Sequence, residues 1–82
     1  MTFDHKRFWH EVAGAQARNP GWRIGQAVYN TAFNLHQRDA TKFCAGPLDP
    51  FYDDSRIGAF MDALIIEEES YGTQLSVVKE AQ

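Results

Sequence analysis

A chain of 82 residues, 44% hydrophobic and 13% aromatic, has room for one small domain with a thin core. That counts against a multi-domain machine and against an enzyme built on a deep cleft between lobes. The single cysteine, Cys44, rules out a disulfide scaffold. The net charge of −3 conceals a split. Residues 1–44 carry Lys6, Arg7, Arg18, Arg23, Arg38 and Lys42 against only Asp4, Glu11 and Asp39, whereas eight of the eleven acidic residues fall after Cys44, beside Arg56 and Lys79.

The first predicted helix runs from Phe3 to about Arg18. Phe8, Val12 and Ala15 make one apolar row, with Trp9, Ala13 and Ala17 as a second row beside it. Thr2 or Asp4 is placed to cap its start. In Asn19-Pro20-Gly21-Trp22, asparagine suits an N-cap and proline suits the first helical position, so a second helix is expected from Pro20 to about Gln37. Gly25, Val28, Tyr29, Ala32, Phe33 and His36 mark its apolar face. Gly25 costs about 1 kcal/mol relative to alanine in a helix interior, and such a glycine commonly admits a close neighbour. A short helical turn, capped by Asp39, is expected from Ala40 to Cys44.

Gly46-Pro47-Leu48-Asp49-Pro50 then breaks the helical pattern, and Asp49-Pro50-Phe51-Tyr52 fits a turn. The third long helix is expected to begin near Asp53, Asp54 or Ser55 and to bury Ile57, Phe60, Met61, Leu64 and Ile65. Ser70-Tyr71-Gly72-Thr73 reads as a stop. The expectation is an all-α fold: a compact three-helix bundle, plus one short helical turn, with a proline-containing loop between helices 2 and 3. A single helical domain would cover residues 1–69, and residues 70–82 would form a flexible or frayed tail.

The N-terminus is polar within four residues, and the longest aliphatic run is Ala63-Leu64-Ile65-Ile66, far short of the roughly 20 residues that span a bilayer. With one free cysteine, this predicts a cytoplasmic protein with no membrane association.

The residues that carry chemistry elsewhere lack the required spacing here. Asp49, Asp53 and Asp54 do not match a calcium loop, because the sixth position counted from Asp49 is Asp54 and the twelfth is Phe60. Capping, with pairing to Arg23 or Arg56, explains them better. His5 and His10 stand about 140° apart on a helix and cannot share a metal. His36 fits a satisfied core residue and Cys44 a buried, inert thiol. No catalytic residues, metal ligands or cofactor are therefore assigned. Glu67, Glu68 and Glu69 lie at the unfavourable end of their helix for the dipole, and local structure leaves them facing a partner or water.

The second helix carries a less usual stripe, Arg23, Gln26, Asn30, Asn34 and Gln37, in which uncharged amides replace the usual Glu and Lys. Such a stripe suits recognition of a protein partner, with Trp22, Phe51 and Tyr52 as aromatic anchors. The predicted contact surface is Trp22, Arg23, Gln26 and Asn30 with Asp49, Phe51, Tyr52, Asp53 and Arg56 of the loop.

Two stretches, residues 19–30 (NPGWRIGQAVYN) and 48–57 (LDPFYDDSRI), together resemble a group of small proteins encoded by tailed phages and prophages. The shared pattern is NP-x-WR-x-GQA-x-x-N followed by a DPFY-x-D-x-R segment, and it covers roughly residues 7–65. The resemblance brings no activity with it. It implies a phage setting, in which many short proteins bind a host protein such as a defence enzyme or RNA polymerase. The leading expectation is thus a non-enzymatic protein that binds a host or phage protein. Alternatives are a nucleic-acid-binding regulator using Lys6, Arg7, Arg18, Arg23 and Lys42, and a self-associating accessory protein whose two charged halves attract between copies.

Overall fold

The computed structural model describes residues 3–81, with side chains described as far as Ser70. Helix α1 (His5–Arg18) leads into α2 (Ile24–Leu35), a short α3 (Gln37–Thr41), a 3-10 turn (Asp54–Arg56) and α4 (Ile57–Ala81). No strand occurs among the described residues. The all-α bundle with its proline-containing loop is therefore present. Helix α2 is its hub, packed on α1, on α3 and on the 3-10 turn.

Asp4 caps α1 by accepting from the backbone N–H of Arg7 at 3.0 Å. Phe8, Val12 and Ala15 are buried, as the first apolar row predicts. The second row is not: Trp9 is 39% exposed, and Ala13 and Ala17 face solvent. A helix packed on one neighbour buries one stripe, and the Phe8 row faces α2. Trp9 lies edge-on to Phe8, with centroids 5.3 Å apart.

Helix α2 begins four residues later than the sequence predicts. Asn19 closes α1 instead of opening α2: its backbone N–H donates to Ala15 and Gln16, and its side-chain Nδ2 donates to the Ala15 carbonyl at 3.0 Å. Pro20 and Gly21 then form a turn. Arg23 takes the N-cap position, where its backbone N–H donates to Gln26 Oε1 at 3.3 Å. Ala27, Val28 and Ala32 are fully buried.

Helix α2 stops at Leu35, because His36 adopts φ −136° and ψ 51°. The short helix is accordingly Gln37–Thr41 rather than residues 40–44, capped at His36 and not at Asp39. Residues 42–45 form turns on the surface, so Cys44 is exposed and not buried. Ala45 has φ 60°, the left-handed region.

Asp53 caps the 3-10 turn, accepting from Ser55 N at 3.0 Å and from Ser55 Oγ at 2.6 Å. Phe60 and Leu64 of α4 are fully buried, and Phe60 meets Tyr29 at 5.9 Å and the edge of Phe43 at 5.9 Å. Helix α4 does not stop near Glu69. Gly72 costs about 1 kcal/mol, but no proline enforces an end, so the backbone stays helical to Ala81. The expectation of a flexible or frayed tail over residues 70–82 falls on side chains that, from residue 71 onward, lie outside the described residues.

Candidate functional site: the loop on helix α2 and the concavity between helices α1 and α2

The loop between α3 and α4 is held from inside. Asp49 is buried, and its carboxylate accepts from Ala45 N at 2.6 Å and from Phe51 N at 2.8 Å. Two backbone donors on opposite sides of Pro47 thus share one side chain, which fixes the loop without regular secondary structure.

The same loop is clamped to the start of α2. The Arg23 guanidinium forks, with Nη1 donating to Asp54 Oδ1 at 2.9 Å and Nη2 to the Phe51 carbonyl. Asp54 Oδ1 also accepts from Gly25 N at 3.0 Å, one of the N–H groups that a helix start leaves free. A Cβ on Gly25 would lie 2.2 Å from the Pro50 carbonyl oxygen, so glycine is required for this approach. Arg56 pairs with Asp53 at 3.6 Å. The pairing expected of the acidic loop with Arg23 and Arg56 is present.

These bonds sort the predicted contact residues. Asp49 is an internal staple rather than part of the contact face. Arg23, Asp53 and Arg56 are engaged within the chain, and Gln26 serves the N-cap. Phe51 is half-buried and meets Tyr29 edge-on at 6.3 Å. Tyr52 is 73% exposed, its ring 4.8 Å from that of Phe51. Burial above all, with the adjacent Cys44 thiol, pushes the Tyr29 phenol up.

Two of the three glutamates left unexplained by sequence, Glu67 and Glu68, find partners across the α3–α4 contact. Lys42 Nζ donates to Glu67 at 2.8 Å, which holds the lysine above its ordinary value. Glu68 lies against His36 Nδ1 and 3.7 Å from Arg38. His36 in turn stacks on Phe3, with centroids 5.1 Å apart, so it is half-buried against Phe3 and Glu68 rather than enclosed in the core. Asp39 is buried beneath this group. Burial pushes its carboxyl up, but the Arg38 hydrogen bonds, with Glu68 and Lys42, outweigh burial and hold it below the ordinary 3.8. These contacts account for Glu67 and Glu68 without a partner protein.

The amide stripe is shorter than predicted. Arg23 and Gln37 fall outside α2, and Gln26 is used in the cap. Asn30 and Asn34 remain, and both line a concavity of about 250 Å³ between α1 and α2. Trp22 forms part of its wall, and Glu11 and Arg18 of α1 stand opposite. Sequence reasoning missed Glu11, Arg18 and Thr31 as members of this group, although Gly14, an unforced glycine in mid-helix, was a signal. The Arg18 guanidinium lies 3.2 Å from where a Gly14 Cβ would stand.

Among the described residues, no group of three or more His, Cys, Asp or Glu side chains is placed to hold a metal ion. Nor is any helix there long and apolar enough to cross a membrane. No family model matches the chain, and neither the curated proteins nor the solved structures give a match.

Proposed function

We propose that this chain is a small non-enzymatic protein of phage type that works in the host cytoplasm by binding a host or phage protein, and so inhibits a host process such as defence or transcription. The observation that carries this reading is Tyr52, 73% exposed on a loop that Asp49, Arg23 and Asp54 hold rigid. An aromatic side chain has few rotatable bonds and loses little conformational freedom on association, which is why tyrosine and tryptophan are enriched at binding hot spots. The phage setting rests on the two stretches around Trp22 and Tyr52. The nucleic-acid alternative is weakened by the pairing of Arg23 with Asp54 and of Lys42 with Glu67, which leaves Lys6, Arg7 and Arg18 of its five cations.

The test is capture of partners from host lysate on the immobilised chain. A protein retained by the wild type and lost with Tyr52→Ala, while the variant keeps its helical content and melting temperature, supports the reading. Equal retention by both, or retention of nothing, overturns it. Salt-sensitive binding of DNA or RNA at about 50 mM salt would favour the nucleic-acid alternative instead.

A further inference from the structure

The acidic loop and the α3–α4 contact satisfy their charges within the chain, whereas the concavity between α1 and α2 does not. Among the described residues, the side chains of Glu11, Arg18, Asn30 and Asn34 make no hydrogen bond or ion pair within the chain, yet all four line one depression. Thr31 lines it too. It is only 4% exposed. Unsatisfied donors and acceptors converging on a concave site are the ordinary mark of a binding pocket.

The charges indicate what would bind. Arg18 and Glu11 are opposite in sign and face the same depression, but they do not pair with each other. Gly14, which lies between them in sequence, leaves room for the Arg18 guanidinium to fold back along α1. A cation and an anion about two turns apart on the α1 wall of the cavity complement a molecule that carries the reverse pair. The amides of Asn30 and Asn34 can each both donate and accept, which suits a second amide or a hydroxyl. Trp22 and Leu35 supply apolar wall for a short methylene chain. The volume of about 250 Å³ falls below the roughly 300–1,000 Å³ of sites that take drug-sized molecules.

We propose that the concavity between α1 and α2 binds a free α-amino acid with an amide-bearing side chain. Arg18 holds its carboxylate, Glu11 its ammonium, and Asn30, Asn34 and Thr31 its side-chain amide. This site is separate from Tyr52 and goes beyond the partner-binding reading, and neither depends on the other.

The experiment titrates the isotope-labelled full chain with L-glutamine and follows the side-chain amides of Asn30 and Asn34 and the Trp22 indole by NMR. Saturable shifts at these groups are expected. Arg18→Ala and Glu11→Gln should each weaken binding tenfold or more. N-acetylglutamine, which lacks the ammonium, should bind at least tenfold more weakly than glutamine. Gly14→Ala, which crowds the guanidinium without loosening the helix, should weaken binding a few fold. Tyr52→Ala should leave glutamine binding unchanged. The proposal is overturned if no shifts appear up to about 10 mM glutamine, ten times above a Kd of 1 mM. It is equally overturned if shifts appear but Arg18→Ala and Glu11→Gln bind as the wild type does, or if N-acetylglutamine binds as tightly as glutamine.

Discussion

The Pro50 carbonyl oxygen lies 2.2 Å from the point where a Cβ on Gly25 would stand, and Asp54 Oδ1 lies 2.6 Å from it. The first atom belongs to backbone and cannot swing aside. Gly25→Ala should therefore push the loop off α2 and break the Gly25–Asp54 hydrogen bond. A loss of about 3 kcal/mol is expected in chemical denaturation, against a helix-propensity gain of about 1 kcal/mol. A variant as stable as the wild type would contradict the packing described.

Gly14 predicts the opposite sign. Among the described residues, its close neighbour is the far end of the Arg18 side chain, at 3.2 Å from where a Cβ would stand. Gly14→Ala should gain up to about 1 kcal/mol, read as a rise of roughly 4–8 °C in Tm for a domain of this size. An unchanged or lowered Tm would mean that the guanidinium cannot yield.

Asp49 should matter more for stability than its place in an irregular loop suggests. Asp49→Ala removes the acceptor for two backbone donors, Ala45 N and Phe51 N, at a cost of about 3 kcal/mol. Asp49→Asn keeps one carbonyl acceptor and should lose only about 1 kcal/mol. Equal losses for the two variants would show that charge, and not hydrogen-bond geometry, holds the loop.

The buried Asp39 gives stability a defined pH dependence. Its carboxyl titrates below the ordinary value in the folded chain, so the folded state binds fewer protons than the unfolded one. The contribution is fully present above the ordinary carboxylate range and is lost as pH falls through the folded value. Exposed Asp53, lowered by its bonds to Ser55, acts in the same direction. Denaturation midpoints should fall as pH is lowered through and below the ordinary carboxylate range, and Asp39→Asn should flatten that slope. An unaltered slope in the variant would remove Asp39 as its source.

Trp22 and Tyr52, both sequence-predicted anchors, should separate in a stability measurement. Trp22 is half-buried against the core, so Trp22→Ala should cost about 2 kcal/mol, less than the roughly 3–5 kcal/mol of a fully enclosed ring. Tyr52→Ala, at a mostly exposed position, should stay within about 0.5 kcal/mol.

Local chemistry was legible in the sequence. The Phe8–Val12–Ala15 row, the Asp4 cap and the Asp53 cap all depend on neighbours within a few residues or on periodicity, and all are present. Ambiguous signals went the other way. Asn19 is as good at closing one helix as at opening the next, and its side chain bonds back to Ala15. His36 interrupts a helical pattern that no proline or glycine marks.

By itself the sequence determined an all-α chain whose apolar stripes need one another, because helical periodicity fixes which residues share a face. Tertiary structure alone decided which polar groups are spent and which remain. Lys42 and Glu67 are 25 residues apart, so no local pattern announces that this pair closes. Nor does any local pattern announce that Glu11 and Arg18 meet Asn30 and Asn34 across one concavity. The crossing of α1 over α2 brings those four together, and packing of the buried rows sets that crossing.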